Sequence, residues 1–118
     1  MAVVPAREEM PDNDGVVVFT WETLTDGDTG SPVLAARFAD KTVHSDGNYS
    51  GTAVITMQGS NNNVAWFTLT DHADTDVTMG ADTVGAVIAQ NPLWIRPSVG
   101  AGDGSTDIDV YLVCAPRR

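Results

Sequence analysis

Basic residues are scarce in this chain: six Lys and Arg stand against sixteen Asp and Glu among 118 residues, a formal net charge of −10. Nucleic-acid binding draws much of its affinity from Lys and Arg displacing counterions from phosphates, so DNA and RNA are not expected partners. Cysteine is nearly absent. Its one thiol, Cys114, has no internal partner, which excludes a disulfide framework and leaves a small buried hydrophobe as its expected role. No stretch approaches the ~20 apolar residues of a membrane-spanning helix, and no membrane partner is expected. Met1 to Glu9 lacks the basic start and apolar run of a secretory signal, so export by that route is not expected.

Residues that carry chemistry are equally thin. His44 and His72 are the only histidines, and their spacing builds no Ser-His-Asp or Cys-His set. A phosphate-binding GxxxxGK loop is missing, and the glycines of Gly100-Ala101-Gly102-Asp103-Gly104 lead into a strand pattern instead of a helix. No catalytic residue and no cofactor is assigned, and the chain is expected not to be an enzyme. Calcium favours clustered oxygen ligands, which Asp12-Asn13-Asp14-Gly15, Asp26-Gly27-Asp28 and the trio Asp71, Asp74 and Asp76 could offer. None completes an EF-hand loop, and solvating a β-domain is the ordinary role of such segments.

What the chain does have is alternation. Val17, Phe19 and Trp21 share one face of a strand over residues 16–24, and two short strands follow at 33–38 and 41–44. Ala53, Ile55 and Met57 alternate in a strand at 52–58, and the Gly59 to Asn63 turn leads into a second strand at 64–69. A short strand is expected at 77–79, while 83–90 fits a helical turn as well as a strand. Residues 93–99 hold a strand with Pro97 inside it, a placement that points to an edge or a bulge. Ile108, Val110, Leu112 and Cys114 alternate in the last strand. Eight or nine short strands imply an all-β fold, a single antiparallel β-sandwich of the jelly-roll type over residues 16–118, behind an extended N-terminal arm of residues 1–15. Trp21 and Trp66 are expected in the core, whereas Leu93 and Ile95 could supply the inward face and leave Trp94 outward, which makes it the interface candidate. In the arm, Val3, Val4 and Arg7 could order on a partner.

Two stretches carry a family resemblance. Gln58-Gly59-Ser60-Asn61-Asn62-Asn63-Val64-Ala65-Trp66-Phe67-Thr68-Leu69-Thr70, with Asn91-Pro92-Leu93-Trp94-Ile95-Arg96-Pro97 and a closing strand ending in Arg117-Arg118, resembles capsid decoration (cement) proteins of tailed bacteriophages. The resemblance runs from Phe19 onward. It implies a structural virion protein on the outer capsid surface, made in the host cytoplasm, that bridges major capsid subunits and pairs with itself as a dimer or trimer. On this reading Val3, Val4, Arg7, Trp94 and Arg96 are the partner-binding residues, with Arg96 available to capsid carboxylates. The same segments are also similar to discoidin-like, galactose-binding sandwich domains, which imply a carbohydrate-binding module instead.

Overall fold

The computed structural model describes residues 2–10, 15–80 and 85–116. Every regular element among them is a strand, and the strands form two packed sheets. Sheet I runs β1 (Val3–Val4), β4 (Thr29–Gly30), β11 (Trp94–Gly102), β7 (Gly51–Ser60) and β8 (Phe67–Thr68). Two short strands also join it, β5 (Val33–Leu34) on β11 and β9 (Thr78–Met79) on β7. Sheet II runs β10 (Gly85–Val87), β6 (Asp40–Asn48), β12 (Asp107–Ala115), β3 (Val17–Leu24) and β2 (Ala6–Glu9). The chain is an all-β sandwich.

Period-two burial explains why these residues take these strands, since alternate side chains of a strand point to opposite faces. Val17, Phe19 and Trp21 of β3, Ala53, Ile55 and Met57 of β7, and Ile108, Val110, Leu112 and Cys114 of β12 all turn into the core. Burial pushes the Cys114 thiol up to about 12, so it sits there as a neutral hydrophobe. Trp21 ties the sheets together. Its ring is fully buried, its Nε1–H donates to the Ser31 carbonyl at 3.0 Å in the turn after β4, and it packs against Gly30 and Pro97.

Several expectations are corrected. Pro97 lies in a central strand, paired with β7 on one flank. On the other flank Val99 donates its N–H to the Asp28 carbonyl, and the proline nitrogen faces the same way. There, Ser31-Pro32 separates β4 from β5, so no ladder bond is lost. Trp66 is half-buried and precedes β8, outside the core. The strand expected over 64–69 shortens because the Asn62 Oδ1 accepts the N–H groups of Val64 and Ala65, at 2.9 Å each, and Asn63 has a φ of 59°. The strand expected over 33–38 ends at Leu34, and Ala35 to Phe38 form a turn. The ambiguous segment is strand over Gly85–Val87; its first residues, 83 and 84, lie outside the described residues.

The arm is extended, but it does not stand apart. β1 pairs parallel to β4, and β2 pairs antiparallel along β3, so the arm crosses from sheet I to sheet II. Asp28 fastens its start: its nearly buried carboxylate accepts the Ala2 N–H at 2.9 Å and the Thr25 N–H and hydroxyl at 2.9 and 2.8 Å. Burial alone would raise this carboxyl's pKa, but the bonds from Thr25 and Ala2 outweigh it and hold the pKa below the usual range.

Lys41 is the unforeseen core residue. It faces inward opposite Cys114, fully buried, and donates to the Phe38 carbonyl at 3.0 Å and to Asn91 Oδ1. Burial pushes its ammonium pKa down, against the opposing pull of Cys114 and Asp40.

Two stability outcomes follow from this packing. A Cβ at Gly30 would lie 2.5 Å from Pro97 and 2.6 Å from the Trp21 ring, so Gly30→Ala should cost about 1–3 kcal/mol in urea unfolding, the range for overpacked cores. Asp28→Ala should cost about 1–3 kcal/mol at neutral pH, the worth of hydrogen bonds to a charged acceptor. Because the folded pKa lies below the unfolded one, that stabilisation is complete above the unfolded value of about 3.9 and is lost as the pH falls through the folded value. The gap between parent and Asp28→Ala should therefore close in acid, read by urea midpoints across the pH series.

Candidate functional site

Beside the pair Val54 and Gly100, the outer face of sheet I carries three rows of residues that lie opposite one another across the strands. Thr29, Ser98, Thr56 and Thr78 form one row, and Arg96, Gln58 and Thr68 the next. Leu34, Trp94 and Ser60 form the third. Directly opposed residues share a face, so these side chains, apart from the fully buried Ser60, make one patch of hydroxyls, the Gln58 amide, the Arg96 guanidinium, Leu34 and the half-buried Trp94. Arg96 is fixed at its centre: Nε donates to Gln58 Oε1 at 2.9 Å, and the guanidinium lies 4.0 Å from the centre of the Trp66 ring. Burial lowers the pKa of Arg96. Stacking of this kind uses the face of Trp66 that a core position would have spent on packing.

At the Trp94 end the patch opens into a groove of about 490 Å³. It is lined by Trp94, Leu34, Val33 and Pro32, by Pro5, Ala6 and Glu8 of the arm, and by Phe19. Arg37 lies at its rim and also stacks over Phe38. Leu34 is 53% exposed.

The five residues expected to bind a partner do not form one site. Trp94 lines the groove, and Val4 packs half-buried against the core just before Pro5. Val3, 66% exposed, lines a separate shallow cleft of about 160 Å³ with Ala2, Gly27 and Thr29. Arg96 belongs to the flat face, outside the groove. Arg7 lies across the sandwich on sheet II, paired with Glu9 at 2.8 Å and with Glu22.

Sheet II carries a different outer face. Asp46 stands directly opposite Asp109, Asp107 opposite Asn48, and His44 opposite Tyr111, on whose ring it stacks at 4.9 Å. Burial, joined by the negative charges of Asp109, Asp46 and Glu22, raises the Tyr111 pKa and keeps the phenol neutral. A cleft of about 620 Å³ at the β10 edge is lined by both histidines, with Asp71, Thr42 and Val87. Asp71 Oδ1 is taken up by the N–H groups of Ala73 and Thr75, and Asp26 Oδ1 by that of Gly102. These acidic loops use carboxylate oxygens to hold their own backbones. Among the described residues, no three His, Cys, Asp or Glu side chains converge on a point that could hold a metal.

No family model matches the chain, and no curated protein does. Among solved structures it is similar to the SPBc2 prophage-derived protein YomS, at 14% identity and a TM-score of 0.59, over 84% of this chain and 93% of that one. IMPa from Pseudomonas aeruginosa, solved in complex with an O-glycopeptide, matches at 10% identity and a TM-score of 0.48, over 94% of this chain and 14% of that one. At that score it carries no argument. The likeness to the prophage-derived protein shows a shared sandwich fold.

Proposed function

We propose that this protein is a structural component of a phage virion that attaches to the outer capsid surface and bridges and stabilises neighbouring major capsid subunits. The observation that carries the reading is the groove beside Trp94, where a half-buried indole and an exposed Leu34 line a concave wall next to the arm. Interfaces concentrate their energy in a few aromatic anchors set in such pockets. The fold shared with a prophage-derived protein supports the phage context. Strand order supports the jelly-roll form: β3, β12, β6 and β10 lie side by side in one sheet, and β4 with β5, β11, β7 and β8 in the other. That arrangement is common among virion shell proteins.

Attachment on this reading does not need a strong single contact. Many equivalent sites on an icosahedral shell let weak contacts act together through effective concentration. Trp94 supplies the anchor, and the arm, held mainly by backbone bonds at two sheet edges, adapts its outer surface to the shell.

Purified protein should cosediment with matched undecorated shells and raise the temperature at which they release DNA. Trp94→Ala should weaken attachment by about 30-fold or more, the loss expected for an interface anchor worth about 2 kcal/mol, with an unchanged melting temperature of the free protein. Absence of cosedimentation at micromolar protein and physiological salt would overturn the proposal. If a simple sugar then raised the melting temperature, the carbohydrate-binding alternative would take its place.

A further inference from the structure

We propose that two copies of this chain pair face to face through the outer surface of sheet I. The inference comes from where the charge lies. In a chain of net charge −10, the two rows Thr29–Ser98–Thr56–Thr78 and Arg96–Gln58–Thr68, beside the groove that holds Trp94, hold no carboxylate. Among the described residues acids lie at the margins, where Asp76 bridges to Thr70 beyond β8, Asp26 holds the Gly102 N–H and Glu8 lines the groove beside Trp94. The opposite face, by contrast, sets Asp46 against Asp109 and adds Asp40, Asp107 and Glu22.

Two such bodies repel at almost any orientation. Repulsion is least when the rows without carboxylates meet, because the crowded carboxylates of both sheet II faces then point into solvent on opposite sides. Chemistry favours the same geometry. A two-fold interface must complement itself, and hydroxyl and amide side chains do so because each both donates and accepts. Thr56, Thr78, Ser98, Thr68 and Gln58 are of this kind. Arg96 is already fixed by Gln58 and Trp66, so its remaining N–H groups can reach neutral oxygens of the facing copy with little ordering cost.

Size sets the strength. Four strands at ~4.8 Å spacing and two rows about 7 Å apart give a patch of roughly 270 Å². That is about a third of the ~800 Å² each partner contributes to a standard interface. The free pair is therefore weak, and it becomes populated at high concentration or when copies are held close on one support.

The test uses the protein alone, so its outcome is independent of whether capsids are bound. Sedimentation velocity up to about 1 mM protein should show a monomer–dimer equilibrium. The dimer should tighten several-fold between about 0.01 M and about 1 M salt, as the Debye length falls from about 30 Å to about 3 Å and repulsion is screened. Thr56→Asp and, separately, Ser98→Asp should be monomeric at both salts with melting temperatures near the parent's, while Asp109→Asn should pair at least as well as the parent. A chain that stays monomeric at about 1 mM in high salt, a dimer that loosens as salt rises, or a dimer that survives both aspartates would each overturn the proposal. Because the salt series uses the unmodified chain, it decides even if a variant fails to fold.

Discussion

Trp21 is the constraint around which the rest is arranged. It belongs to sheet II, yet its indole N–H is satisfied by a carbonyl of the turn leaving β4 in sheet I, so the two layers are joined by a directional bond as well as by apolar contact. A buried indole left without a partner would cost about 1–3 kcal/mol, and that cost fixes the position of Ser31. Gly30 must then be glycine, because the ring occupies the space where a Cβ would go. With β4 and β5 held apart around this turn, Pro97 fits a central strand, and Trp94 and Arg96 are left on the outer side of the same strand. The groove beside Trp94 and the flat face are thus consequences of how the core is closed.

Charge is distributed as unevenly as the apolar residues are. Carboxylates directly opposite one another, as Asp46 and Asp109 are, destabilise a sheet pair. Part of that cost is offset where Asp109 Oδ1 accepts the Thr23 N–H at 2.8 Å. There Thr23 adopts a φ of 59°, a conformation that β-branched residues rarely take, inside a bulge where β3 carries an extra residue against β12. Each sheet holds one such bulge, since Ala101 of β11 also has a φ of 59° where the register shifts between Gly100 and Gly102, but the opposed carboxylates lie on sheet II. Edge pairing is discouraged as well, since Arg7, Glu8 and Glu9 place charges along the β2 edge.

Much of this was legible in the sequence, and the failures have physical reasons. Strict alternation placed β3, β7 and β12 on their correct faces because one face of each is dry. Trp66 was misplaced because Asn62 caps the following backbone and delays the strand to Phe67, which removes the residue from the alternation that placed it inside. For Pro97, the rule about lost ladder bonds points to an edge or a bulge, and the gap between β4 and β5 makes that rule inapplicable. Lys41 does leave a trace in the sequence: it alternates with Val43 and Ser45 against Asp40, Thr42, His44 and Asp46, which puts it on the inner side. The scattered placement of Val3, Val4, Arg7, Trp94 and Arg96 could not be read at all, because it depends on which sheet each strand joins.

The central claim is that the molecule meets its partners through the sheet I side and the groove beside the arm, leaving the acidic sheet II in solvent. Hydroxyl-radical footprinting of the protein bound to capsids, compared with the free protein, tests it most directly because it reads side chains one by one. The account predicts protection of Trp94 and Leu34 with no change at His44 and Tyr111; protection of His44 and Tyr111 with Trp94 still reactive would contradict it.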